Sequence, residues 1–154
     1  MKMNNRNRTG PQNFRGNDSR RFPTESAPTV DINKAFKALE SLKEPKQWIK
    51  ENNSKTLINE VCDPLGNAFS KSVNTSQIRK FLNEVQRLDK DFHIEKVPFL
   101  KAKLAYATGR NRKMESFQKI VNFALDQIRD KDDFNGFKEL ILGIIAYHKF
   151  YGGD

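Results

Sequence analysis

The chain has 154 residues, with 28 Lys and Arg against 19 Asp and Glu, for a formal net charge of +9, and only 36% of it is hydrophobic. That balance argues against a membrane-embedded protein and for a basic one whose partners are polyanions; the longest apolar run, LILGIIAYHKF at 140–150, falls short of the ~20 residues a bilayer crossing needs. Cys62 is the only cysteine, which excludes an internal disulfide and any multi-cysteine zinc cluster.

Residues 1–29 are Asn, Arg, Gly, Ser and Pro, with Phe14 and Phe22 as the only large apolar groups, too few to offset the entropy of ordering them. A disordered basic tail is expected over 1–29 and a single helical domain over 30–154. No apolar signal segment precedes the polar tail, so the expected compartment is the cytoplasm. The tail interleaves Arg with Phe in FRG (14–16) and SRRF (19–22), a pattern shared by RNA-contacting segments and by plain solubilising extensions.

After Asp31, a plausible N-cap, Ile32, Ala35, Phe36, Leu39 and Leu42 recur at helical spacing and predict a helix over 32–44. Trp48 and Ile49 fall in a short turn. Leu57, Ile58 and Val61 form a second apolar patch that Pro64 interrupts, with Asp63 and Pro64 reading as N-cap and first helical residue; two short helices are predicted. Asn74 or Thr75 caps a helix whose stripe is Ile78, Phe81, Leu82, Val85 and Leu88, and Asp89 on the apolar side predicts fraying near Leu88. A fourth helix starts near Pro98 and is predicted to stop at a left-handed Gly109. A fifth carries Phe117, Ile120, Val121, Ala124 and Ile128. The last, capped by Asp132 or Asp133, carries Phe137, Leu140, Ile141, Ile144, Ile145 and Tyr151 and ends at Gly152 and Gly153. With no period-two strand and no internal repeat, the expected fold is an all-α compact bundle of about five to six helices.

Charge is unevenly distributed. Residues 1–29 hold six cations and two acids (+4), and residues 71–113 hold eleven and four (+7), so the remainder of the chain is net −2. On the helix after Thr75, Arg79, Lys80, Asn83, Arg87 and Lys90 lie opposite the apolar stripe at 100° per residue. On the next, Lys101 and Lys103 flank the inward Leu100, Leu104 and Ala107, Tyr106 shares an edge with Lys103, and Arg110, Arg112 and Lys113 follow Gly109. Two readings fit this cluster. Arg forks and backbone amides around a left-handed glycine can hold phosphate, or the cations merely complement a helix dipole for roughly 0.3–1 kcal/mol each.

TSQIRKFLNEVQRL (75–88) together with KAKLAYATGR (101–110) resembles the small subunit of type III-A CRISPR effector complexes, the Csm family. The similarity covers 75–125 well and the last helix loosely. The resemblance implies a helical subunit without a catalytic site, stacked in several copies in an antiviral ribonucleoprotein and lining the groove where guide RNA pairs with target RNA, next to the backbone and large subunits. Carried over by motif, Gln77, Arg79, Lys80, Lys101, Lys103, Tyr106 and Arg110 are the positions that face RNA or a neighbouring subunit. Such a complex leaves sequence readout to base pairing, so protein contacts to the backbone need no sequence preference.

Other groups have plainer readings. His93 and His148 lack a metal-pair spacing, and His93 with Asp91 or Glu95 has no geometry fixed by sequence. Asp126, Asp130, Asp132 and Asp133 read as caps or as partners of Arg129 and Lys131 rather than as a divalent site. Cys62 reads as a buried, inert thiol and Trp48 as core or interface. No cofactor is expected. The alternative function is a helix-turn-helix-like DNA-binding module built from the Pro64 helix and the helix after Thr75, against which the connection reads too long and glycine-poor.

Overall fold

The computed structural model describes residues 32–154 and is an all-α bundle, with no strand among those residues. The tail assigned to 1–29 and the Asp31 cap lie outside them.

Helix α1 (Ile32–Ser41) buries Ala35 and Leu39 on the predicted face, with Ile32 and Phe36 partly covered. It ends at Ser41 rather than 44 because Lys43 adopts a left-handed φ of 63°. The Lys43 carbonyl accepts the Trp48 indole N–H at 3.1 Å, and α2 (Pro45–Trp48) drives that indole fully into the core. The turn expected around Trp48 is thus a short helix with proline in its first turn.

Helix α3 (Glu51–Thr56), a π-helical segment Leu57–Cys62 and α4 (Asp63–Ser70) follow without a break, since Thr56, Leu57, Cys62 and Asp63 all keep right-handed helical dihedrals. Pro64 does not separate two helices and Asp63 is not an N-cap. A proline ring collides with the carbonyl four residues back, and the wider π turn directly before Pro64 removes that conflict. Asp63 instead accepts the Tyr151 hydroxyl. Leu57 and Val61 are buried as expected, but the altered pitch leaves Ile58 37% exposed.

Helix α5 (Thr75–Lys90) starts at Asn74, whose side chain accepts from the amides of Ser76 (2.8 Å) and Gln77 (3.4 Å). Ile78, Phe81, Val85 and Leu88 are buried and Leu82 is partly so. The fraying expected at Leu88 is absent: Asp89 receives Lys131 and Lys138 (3.0 Å) from the last helix, so its carboxylate is held in place rather than expelled.

Helix α6 (Val97–Arg110) passes through Gly109 with helical geometry, and the only described glycine at positive φ is Gly152, at 85°. Asn111, in extended conformation, ends α6 and caps the next 3-10 turn by accepting from the Lys113 amide at 3.1 Å. The left-handed Gly109 cap, and the anion nest that depended on it, are therefore not formed. Asn111 closes α6 with its backbone amide, which donates to the Ala107 and Thr108 carbonyls, and the next turn with its side chain, so a glycine cap is unnecessary.

Helix α7 (Glu115–Asp126) buries Phe117, Ile120, Val121 and Ala124, with Ile128 covered just beyond it. Helix α8 (Lys131–Phe150) is capped by Asp130, which accepts the Asp133 amide at 2.9 Å, not by Asp132 or Asp133. Asp133 is instead buried and accepts from the amides of Lys46 (3.1 Å) and Arg129 (3.0 Å), tying α2 to the start of α8. At twenty residues α8 is the axis: α2, the π segment, α4 and α5 pack on it, α1 covers the π segment and α4, and α6 lies between α5 and α7.

Two contacts fix where α5 begins. His148, buried near the end of α8, has its Nε2 2.6 Å from the Val73 carbonyl, and the Thr75 amide donates to the Asp154 carbonyl. The chain end after α8 thus meets the start of the cationic helix.

Candidate nucleic-acid interface

Helices α5 and α6 run antiparallel, because the short connection 91–96 turns the chain back on itself. Their buried stripes, Ile78, Phe81 and Val85 on one and Leu100 and Leu104 on the other, face the core. The polar flanks are left on either side of an open groove of about 950 Å³. Its walls carry Gln77, Lys80, Glu84 and Arg87 from α5 and Lys103, Tyr106 and Arg110 from α6. Asparagines 74 and 83 complete the α5 wall.

Six of the ten residues singled out by sequence meet in this groove: Gln77, Lys80, Arg87, Lys103, Tyr106 and Arg110. The other four do not line it. Arg79 is exposed on α5 outside the groove, and Lys101 turns to α7, where its Nζ bonds Asp126 at 2.6 Å. Arg112 pairs with Glu115 at 3.2 Å, and Lys113 is exposed in the turn after α6.

Within the groove the cations are not equivalent. Glu84 stands between the helices, accepts Lys103 from α6, and lies 3.2 Å from Arg87 one turn along α5. The Lys103 hydrogen bond, with the charges of Lys103 and Arg87, holds the Glu84 carboxyl below the usual carboxylate range. It is therefore ionised at neutral pH, and four cations against one carboxylate leave the lining at net +3. Lys80 has no carboxylate partner among the described residues. Nor does Arg110, whose guanidinium carbon sits 5.9 Å from the Tyr106 ring centroid. Beside the groove Asn111 Nδ2 donates to Gln77 Oε1 at 3.1 Å, tying the end of α6 to the first turn of α5.

Sequence reasoning missed three of these residues. Glu84 was visible as an acid three residues before Arg87, but its main partner, Lys103, lies nineteen residues away on another helix. Asn111 carried a cap signal that Gly109 overshadowed. Phe99 has no apolar neighbour pattern of its own and is 66% exposed beside a second recess lined by Glu84, Arg87, Leu88, Lys96 and Lys103.

The remaining polar groups are placed as follows. His93 is exposed, with Nε2 3.1 Å from Asp91 and Nδ1 3.8 Å from Glu95, while Lys96 also bonds Asp91 at 3.3 Å and holds its carboxyl below the ordinary value. Asp130 pairs with Lys46 at 3.1 Å and Lys131 with Asp89, so neither the Arg129 nor the Lys131 side chain pairs with the aspartates expected. Arg129 lies 3.8 Å from Glu44 instead. Among the described residues no cluster of three or more His, Cys, Asp or Glu could hold a metal, and no helix is long and apolar enough to cross a membrane. Cys62 is buried against the Leu140 carbonyl; desolvation, with the Glu139 charge adding, pushes its thiol up to about 12.

Fold and groove together define a basic all-α protein with a solvent-open, cation-lined cleft between two antiparallel helices. The family model described as Csm2 Type III-A matches residues 50–154, which is more than half of the chain. The chain belongs to that family, the small subunits of the type III-A CRISPR effector, or Csm, complex. The match begins in α2–α3 and runs through α8, well beyond the two helices that carry the resemblance in sequence. No curated protein and no solved structure matches the chain.

Proposed function

We propose that this subunit holds RNA by its backbone, without sequence preference, along the α5–α6 groove, and takes no part in catalysis. In the complex the RNA is guide and target, the subunit packs against copies of itself and against the backbone and large subunits, and the assembly serves antiviral defence in the cytoplasm. Residues 30–154 act as one helical domain; the single buried core joining α1 to α8 supports that division.

The observation that carries the reading is the convergence of Lys80, Arg87, Lys103 and Arg110 on one groove. They come from two helices, so their alignment is a property of the tertiary fold and not of one helix end complementing its own dipole. Neutralising phosphates with these groups releases counterions, which makes affinity fall with salt.

Lys80 and Arg110 give the cleanest test. Replacing both with Ala is expected to flatten the dependence of log affinity on log salt by about 1.4, two single-strand phosphate contacts at about 0.7 each. Lys101→Ala, outside the groove and engaged with Asp126, is the control. A double variant with wild-type affinity and slope for RNA overturns the assignment.

One observation favours a second reading. The connection from α4 to α5 is Lys71–Asn74, four residues, which is a helix-turn-helix length after all. However, Phe117 of α7 stands between Phe69 of α4 (5.5 Å) and Phe81 of α5 (6.0 Å), so the two helices are spaced by a third rather than packed as a reading pair. Preferential binding of one duplex DNA sequence over RNA decides for this alternative.

A further inference from the structure

On α6 the residues Phe99, Lys103, Tyr106 and Arg110 follow at intervals of four, three and four. At 100° per residue they fall within about 60° of one another. All four are solvent-exposed, Phe99 at 66% and Tyr106 at 69%. An exposed stripe at this spacing alternates aromatic, cation, aromatic, cation; Lys103, Tyr106 and Arg110 line the groove, and Phe99 lines the second recess, which shares Lys103 with it. The aromatic rings contribute nothing to the core, whose α6 share is Val97, Leu100 and Leu104.

Cations alone suit a regular helix of either nucleic acid, because a duplex presents phosphates and hides its base faces. Exposed rings between the cations suit the opposite case, a strand whose bases are unstacked and offer a π-face. We infer that the α6 stripe is a stacking platform for single-stranded RNA: Tyr106 and Phe99 each receive the face of an unpaired base, while Lys103, Arg110 and Lys80 take the intervening phosphates. Seven residues of helix separate the two rings by about 10 Å, so they serve two different nucleotides and not one base between them. Arg110 beside the Tyr106 ring extends the platform with a second planar, cationic surface. Charge complementarity names the occupant: the groove is net positive, and a polyanion bearing aromatic bases matches both halves of the stripe.

This inference rests on the RNA reading above and narrows it to unpaired nucleotides. Its test uses the full chain, an unstructured single-stranded RNA and the same RNA annealed to its complement. The variants are Tyr106→Leu, Phe99→Leu and Tyr106→Phe. Each Leu variant is expected to lose about tenfold in single-strand affinity with an unchanged salt slope and little change for the duplex, whereas Tyr106→Phe keeps the ring and the affinity. A 2-aminopurine placed in the strand is expected to be quenched by the wild type and less so by the Leu variants.

Leu variants that bind both RNA forms like the wild type overturn the platform and leave the groove reading standing. The same holds if they bind RNA normally but no longer co-assemble with the other Csm subunits, which makes the stripe a protein contact. A loss that appears only as a flatter salt slope also overturns it. Absence of RNA binding by the wild type at low salt overturns both.

Discussion

The α2–α4–α8 body and the α5–α6 hairpin solve opposite problems with the same secondary structure. Where α2 crosses α8, a Cβ on Gly136 would lie 1.9 Å from the Pro45 carbonyl oxygen; where α4 crosses α8, one on Gly66 would lie 2.4 Å from the Tyr147 Cβ. Backbones there approach until no methyl fits. Between α5 and α6 the long polar flanks keep a groove of about 950 Å³ open, and Gly109, exposed near the end of α6, has nothing within 4 Å of a Cβ position. Close packing fixes the body, and the hairpin is left with surface to spare. A substitution in the first should therefore act on stability, and one in the second on binding.

The sharpest break of that comparison is Gly136→Ala. The atom in the way is backbone, so α2 must lift from α8 and take Trp48 with it, at a cost of about 3 kcal/mol in chemical denaturation. Gly109→Ala, helical and unobstructed, is expected to stabilise by about 0.5–1 kcal/mol instead. Wild-type stability for Gly136→Ala contradicts the tight α2–α8 crossing.

Next in size is Asp89→Asn, at the joint between hairpin and body. Asp89 receives Lys131 and Lys138, and those bonds, Lys131 first, hold its carboxyl below the ordinary value. A lowered folded-state pKa means that the stabilisation is complete above the unfolded value of about 3.9 and is lost as pH falls through the folded one. The variant is expected to be about 2 kcal/mol less stable at neutral pH. It should also show a shallower loss below about pH 4 than the wild type, read as melting temperature against pH. Parallel curves would mean that the joint contributes nothing.

The same contrast explains what was legible in the sequence. The apolar stripes of α5, α7 and α8 declared themselves by period, since a buried face must repeat at 3.6 residues whatever it packs against. The cationic face of α5 was legible for the complementary reason. Boundaries were not, because they are settled by partners distant in sequence: the Trp48 indole on the Lys43 carbonyl ends one turn, and Lys131 and Lys138 hold Asp89 helical. Pro64 and Gly109 misled for a related reason. Each carries a strong local preference, and each was overruled, by a π turn in one case and by Asn111 in the other. Of the cation cluster, sequence gave the membership but not the sorting. Lys101 and Lys103 are two residues apart, yet one is bound to α7 and the other lines the groove.

Glu84 offers the smallest and most specific test, since it occupies the groove with the wrong charge for a polyanion. It holds Lys103 and Arg87, and an RNA phosphate reaching either must compete with it. Because those partners hold its pKa below the ordinary carboxylate range, mild acidification to about pH 5 leaves it ionised and leaves the competition in force. Glu84→Gln removes the competitor at every pH while keeping the side-chain volume. RNA affinity at low salt is expected to rise a few-fold, and the salt slope to steepen by up to about 1.4 as two cations are released to phosphate. A steeper slope places Lys103 and Arg87 on the RNA path. An unchanged slope means that the strand runs past Lys80 and Arg110 alone, and that Glu84 serves only to pin α5 to α6.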